Sequence, residues 1–580
     1  MATEPETEPV TEPVTEPSQP TAGQFPDAPG DLDGFDAWAR LANDNFQRAA
    51  LYAETTRRWA DTTLSVDQRG LAGIWGAVVG RPSAAEVAPL LEGDALDPVI
   101  RARLQATVAV EATGDPDAAV KLVEAADATM NNTEVAIRTR LAVWLMVAEV
   151  YARTGRSQDA MGVLDRAGKA VRDAPDAPAW APMVVDAERL SLVAPVTEDR
   201  SQILRAAETV ASAARSISPS PASLDVLVKM GALLAAAGDP RKAEPFLEAV
   251  VQVTEAVPEA RGLRFQAQLV LADVVGAVEG VEAAITAQRN AIETVTPMGD
   301  TPMLGWAQRG LGLHLRAAER FSESAEVFDA AVQLYGRLEL SREVAAMTLE
   351  RATSLIFADE PDQARTLTHE VLDGADSLPE DARGALQVRG NEVLAQAAAY
   401  DGNLEEAADH WLEVADLGSK LGFSPLDAHL EAARLFAAND DLDEARAQFA
   451  RAEMAAADEE DPAKATAAVM RAQAETLRDV GEVEEAAEIA RIASNHARTS
   501  GDEPQAIYLA VIAADALRAS GDLQGAVQLY NENLAAAEAA SMPMLKGSVH
   551  AAFALALREA GRGDEADIHD AEAKRLSVNR

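Results

Sequence analysis

A small side chain that returns about every 40 residues constrains this chain more than any other feature. Five residues after a turn glycine comes an alanine, four residues later a larger residue, and three after that usually another small one. Gly114, Ala119, Val123 and Ala126 form one copy, and Gly155, Ala160, Leu164 and Ala167 the next. Gly238, Gly402, Gly481 and Gly521 open others, and Asp440 takes the glycine's place before Ala445. Weaker copies carry Ala284, Ser324, Ala364 and Ala566 at the small position. One more copy is expected near Ala206 or Ala207, and an upstream one at Ala85 after Gly80.

The physics of the pattern is that of paired helices. Glycine accepts the positive φ that lets the chain leave one helix and turn into the next. The alanine then lies where two antiparallel helices approach most closely, and a larger group there would overpack the contact. The residue four positions on lies one turn further along the same face and fills the space between neighbours. Each unit buries its face only against the next, so about twelve to thirteen units are expected to support one another.

Composition agrees. Hydrophobic residues make up 48% of the 580 and aromatics only 4%. Alanine and leucine suit close helix packing and suit sheets poorly. The formal net charge of −44 repels nucleic acid and anionic membranes, so neither is expected as a partner. The absence of cysteine excludes disulfides, thiolate metal sites and a cysteine nucleophile. The N-terminus lacks the basic and apolar regions of a secretory signal, no stretch has the apolar length of a membrane span, and a cytoplasmic location is the default expectation.

Three segments follow. Residues 1–32 read as a disordered acidic tail rich in Pro, Glu and Thr, because its regular prolines remove backbone donors and forbid a helix. Residues 33–79 read as a helical N-terminal cap, with Phe35, Trp38, Leu41, Phe46, Tyr52 and Trp59 at helical spacings, and this segment could also serve self-association. Residues 80–575 read as the repeat array, closed by a polar final helix in which Asp570 replaces the usual bulky residue.

The phrases TGRSQDAMGVLDRA (154–167), DGNLEEAADHWLEVA (401–415), VGEVEEAAEIARIA (480–493) and SGDLQGAVQLYNENL (520–534) resemble the junction between the paired helices of tetratricopeptide repeats. The unit is the long one of about 40 residues rather than 34. The resemblance implies an all-α, right-handed superhelical solenoid of antiparallel helix pairs, with a concave groove that holds peptides or protein surfaces. The chain departs from the family where bulky residues of the first helix are replaced by Ala or Val.

No catalytic constellation, cofactor-binding motif or metal-ligand spacing emerges. The seven histidines form no close pair in sequence, and the clustered acids sit near helix starts, where they offset the dipole. The chain therefore reads as a non-enzyme without cofactor: a scaffold or adaptor that holds a protein or peptide, with a basic partner suited to its charge. A regulatory or sensor subunit for a peptide or small effector, and a self-assembling structural protein, are the alternatives. In this architecture first helices line the groove, which makes Trp144, Tyr151, Trp306, His314, Gln387, Asn391 and His550 the candidate groove contacts.

Overall fold

A computed structural model describes residues 26–578 apart from 45–46, 80–81, 94, 113–114, 198, 300, 379, 500 and 540–542. Those residues are all-helical, and no strand occurs among them. Residues 1–25 of the acidic tail, Phe46, Gly80 and Gly114 lie outside the described residues; residues 26–32 are described, with the Pro26 carbonyl accepting the Trp38 indole N–H at 2.6 Å and Leu32 opening the first helix. The chain divides into two compact units, 1–299 and 300–580.

The first unit opens with α1 (Leu32–Asp44), α2 (Arg48–Ala60), α3 (Val66–Val79) and the single turn α4 (Ala84–Val87). Helix pairs follow: α5 (Pro98–Glu111) with α6 (Pro116–Asn132), α7 (Ile137–Arg153) with α8 (Ser157–Asp173), α9 (Ala181–Val193) with α10 (Arg200–Arg215), α11 (Pro221–Ala236) with α12 (Pro240–Glu255), and α13 (Arg261–Glu279) with α14 (Val281–Val295). The second unit continues the plan with α15 (Pro302–Ala317) and α16 (Phe321–Arg337), α17 (Ser341–Phe357) and α18 (Pro361–Gly374), α19 (Glu380–Tyr400) and α20 (Leu404–Lys420), then α21 (Leu426–Ala438) and α22 (Leu442–Ala456). It ends with α23 (Pro462–Asp479) and α24 (Val483–Thr499), α25 (Glu503–Ser520) and α26 (Leu523–Ala539), and α27 (Pro543–Glu559) and α28 (Gly563–Val578). Paired antiparallel helices thus repeat along each unit in a TPR-like arrangement.

The helix starts follow from local chemistry. Asp97, Asp115, Asp199, Asp239, Asp441, Asp461 and Asp502 each accept a backbone N–H of the following turn, and Ser220 and Ser223 form a capping box. Pro302 and Pro543 are first residues of their helices and Pro425 immediately precedes α21, positions where the missing donor costs nothing.

The recurring small residue is the fourth residue of each second helix except α10, and Ala119, Ala160, Ala243, Ala364, Ala407, Ala445, Ala486, Ala526 and Ala566 are all fully buried. The turn before it holds a residue at positive φ: Gly155, Gly238, Gly280, Gly402, Gly481, Gly521 and Gly561, with Glu319, Asp359 and Asp440 in the same conformation without being glycine. Two expectations are corrected. In α10 the fourth residue is Ile203, four residues after the capping Asp199, so Ala207 occupies the next turn of the buried face. Ala85 is exposed within a four-residue helix, because Pro82 precedes it, Pro89 follows, and the segment cannot extend into a pair.

The N-terminal segment joins the core of the first unit. Phe35, Trp38, Ala39 and Ala42 of α1 pack with Leu71 and Ile74 of α3 and Ile100 and Leu104 of α5. The Asp36 carboxylate holds Arg103 of α5 at 3.0 Å, accepts from the Trp75 indole at 2.7 Å, and also pairs with Arg40. Burial alone would raise this carboxyl, but the two guanidiniums more than offset it and hold it below the ordinary value. Arg40 donates to Thr139 of α7 at 2.7 Å, and Arg138 of α7 pairs with Asp44, so α1 is tied to both α5 and α7.

Candidate functional site

The left-handed turn residue sets the register of each first helix, and counting back from it sorts the side chains by face. Residues 13, 6 and 2 positions before the turn residue are spaced by seven and four, so they share one face of a 3.6-residue helix. In the second unit that row carries Trp306 (13 before Glu319), Phe357 (2 before Asp359), Tyr400 (2 before Gly402), Tyr508 (13 before Gly521) and Leu555 (6 before Gly561). These five large side chains are between 42% and 57% exposed.

The same row is acidic. Asp427, Glu475, Asp479, Asp515 and Glu559 lie on it, against the guanidiniums of Arg389 and Arg434. Several members are fixed by neighbours. The Tyr508 hydroxyl donates to Glu475 at 3.2 Å, and the Tyr400 hydroxyl donates to Asp359 at 3.2 Å. Arg389 donates to Glu392 at 2.8 Å and to the Thr353 hydroxyl at 3.2 Å. Such bonds hold the polar members in one geometry, and the Phe357 ring also packs against Phe321 of α16 with centroids 5.4 Å apart.

In the first unit the corresponding row includes Glu149 and Arg153 of α7 and Asp225 of α11. Surrounding protein desolvates Glu149 and raises its carboxyl, although its side chain reaches the surface. Lys229 lies between Asp225, at 3.0 Å, and Glu188 of α9, at 2.5 Å.

The face 15, 11 and 4 positions before the turn residue points the other way, into the helix packing. It carries Gln387, then Trp144, Asn391 and His550, then Tyr151. Five of the seven candidate groove contacts therefore lie on the face opposite the exposed row. Trp144 is buried and donates its indole N–H to Asp127 of α6 at 3.0 Å. Tyr151 is buried with the Arg156 guanidinium 4.5 Å over its ring. Gln387 is half-buried and its backbone carbonyl accepts from the Asn391 amide at 3.0 Å. Trp306 is the candidate on the exposed row, and His314 is half-buried in the last turns of α15.

A recurring cross-helix bond explains the interior polar residues. Asn391 meets His410 Nδ1 at 3.0 Å, His429 Nδ1 meets Gln448 at 2.9 Å, and His550 Nδ1 meets His569 Nδ1 at 2.7 Å. Each pair is separated by 19 residues, linking the position 11 before the turn residue to the position 3 after the small anchor. Burial lowers the pKa of all four histidines. His410 and His429 donate from Nδ1 to amide oxygens, and the His550–His569 bond requires one of its two Nδ1 atoms to be unprotonated.

Among the described residues no group of three or more His, Asp or Glu is placed to hold a metal ion. No described helix is long and apolar enough to cross a membrane.

The fold and the exposed row define the chain as an all-α protein of TPR-like helix repeats. No family model matches it, and no curated protein matches it. Among solved structures it is similar to a Podosopora anserina putative kinesin light chain with nearly identical TPR-like repeats, at 20% identity over 34% of this chain and 96% of that one, with a TM-score of 0.30. It is similar to aspartyl phosphate phosphatase F from Bacillus subtilis at 11% identity, covering 62% and 94% of the two chains, with a TM-score of 0.38. It is also similar to the APC/C hetero-tetramer Cut9–Hcn1, at 12% identity over 95% of this chain and 94% of that one, with a TM-score of 0.38. Each TM-score is below 0.5, and these likenesses carry no inference about substrate or partner.

Proposed function

We propose that this protein is an interaction scaffold whose second unit holds a basic protein segment along the exposed face of its first helices. The observation that carries the reading is the row of open aromatic and aliphatic side chains, Trp306 to Leu555, interspersed with an excess of carboxylates. Exposed large apolar groups set among polar neighbours are what a binding face requires, and aromatic side chains are the commonest anchors. The acidic flanks would steer a basic partner and favour its register, while the anchors would supply most of the affinity.

The test uses full-length protein and two matched sets of labelled peptides, each with spaced aromatic residues, one rich in Lys and Arg and the other in Asp and Glu. Fluorescence anisotropy should show binding of the basic set that weakens as NaCl rises from 50 to 500 mM. Trp306→Ala and Tyr508→Ala, both on the exposed row, should each weaken it by about tenfold or more, the size of a modest anchor residue. Equal binding of acidic and basic sets, or affinity untouched by both substitutions, would count against the reading.

A further inference from the structure

A cavity of about 290 Å³ lies in the second unit between α24, α25 and α26. Its walls carry Arg491, Asn495 and Arg498 from α24 and Glu532 and Asn533 from α26, over a floor of Ala510 and Ala513 from α25. None of these residues belongs to the exposed row of the first helices.

Asn533 is the unusual residue. It is 1% exposed, and its amide Nδ2 is buried without a hydrogen-bond partner. Asn533 is the eleventh residue of its helix, and the other eleven second helices carry only Ala or Val there, from Ala126 to Ala573. The repeat therefore supplies its own control: packing at this position is met by a small apolar group. An amide there leaves a buried donor unpaired, which is destabilising and rare without a ligand, ion or water to receive it.

The rest of the lining points to the complement. Arg491 has no hydrogen-bond or ion-pair partner among the described residues, and Arg498 only approaches Glu503 at 3.8 Å. Two guanidiniums facing one small cavity stand out in a chain of net charge −44. Arginine forks match the planar geometry of a carboxylate. Glu532, held by Gln528 at 3.0 Å, puts an acceptor on the same wall. The volume sits just under the roughly 300–1,000 Å³ typical of drug-sized ligands, which limits the occupant to a small metabolite.

We propose that this cavity binds a small carboxylate that also carries an amino group. Its carboxylate would meet Arg491 and Arg498 with the Asn533 amide beneath, and its ammonium would face Glu532. The site is independent of the protein-binding reading above.

The experiment is calorimetric titration of full-length protein with L-glutamate, succinate, inorganic phosphate and n-butylamine, together with thermal melts. L-Glutamate should saturate one site, bind more tightly than succinate, and raise the melting temperature. Affinity should fall at least tenfold in Asn533→Ala and in Arg491→Ala. Asn533→Ala should melt higher than the parent without ligand, since it restores the repeat's own residue and removes the unpaired donor, so lost binding cannot be ascribed to misfolding. Glu532→Gln should bring glutamate down to the succinate affinity. The proposal is overturned if no probe saturates, if phosphate or the amine binds and glutamate does not, or if the variants bind glutamate as the parent does. A notch holding only water would give the first of these results.

Discussion

Glu319, Asp359 and Asp440 hold the left-handed backbone that glycine holds in the turns at Gly155, Gly238, Gly402, Gly481, Gly521 and Gly561. An L residue in that region costs about 1–2 kcal/mol, and Asp, with a short side chain able to bond locally, tolerates it better than Glu. Gly at the same place forfeits about 0.4–1 kcal/mol through the freer unfolded chain. The balance predicts that Glu319→Gly raises stability by about 0.5–1 kcal/mol and Asp440→Gly by less, read as a shift in the urea midpoint at unchanged slope. Asp36 acts in the opposite sense. Its carboxylate neutralises Arg103, which is buried, so Asp36→Ala should cost about 3 kcal/mol by leaving that guanidinium unpaired. Because the folded-state carboxyl is held below its unfolded value, its contribution is complete near neutral pH and is lost as pH falls below about 4. Urea melts should therefore separate parent and variant fully at pH 7 and by a smaller margin at pH 3, the gap closing further as pH falls through the depressed folded-state value.

The second helices of the pairs were readable from the chain, and the first helices were not. A second helix announces itself because a turn residue and a buried alanine fix its start, as at Gly155 and Ala160 or Gly481 and Ala486. The exceptions have local causes: no glycine marks the turn before Ile203, and prolines on both sides of Ala85 prevent a pair from forming. First helices such as α7 and α19 spread Ala, Val and Leu around most of their circumference, so periodicity alone does not reveal which face is exposed. Size and chemistry alone point such side chains to the groove, whereas Asn391 and His550 bond inside their own helix pair and Trp144 is buried against α6 of the preceding pair. The missing signal was the distance back to the turn residue, which separates position 13, where Trp306 and Tyr508 are exposed, from position 11. The element-scale prediction tests the anchor directly. Ala160→Leu should destabilise by about 1–3 kcal/mol through overpacking at the helix crossing, whereas Ala85→Leu should stay within about 0.5 kcal/mol because that side chain faces solvent. Equal effects in urea unfolding would mean that the recurring alanine is not the crossing point.

At the scale of the chain, repeat architecture and charge act against each other. Each helix pair is stabilised mainly by its immediate neighbours, so local contacts have to overcome whatever repulsion the whole chain accumulates. The formal net charge is −44, and like charges on adjacent helices repel through solvent over roughly 10 Å at 0.1 M salt. Ion pairs between successive repeats oppose this: Arg446 meets Glu485 at 2.6 Å and Arg518 meets Glu559 at 2.7 Å. Such partly exposed pairs are each worth roughly 0–1 kcal/mol, and direct contact makes them less sensitive to screening than the diffuse repulsion between unpaired carboxylates. Added salt should therefore remove more repulsion than attraction. The expected result is a melting temperature that rises steadily between 20 and 500 mM NaCl at pH 7.5, with most of the gain below about 150 mM, where the screening length shortens fastest. A melting temperature that falls over the same range would mean that the ion pairs between repeats outweigh the repulsion. The acidity would then have to be assigned to networks that hold successive helix pairs together rather than to a surface left charged for a basic partner.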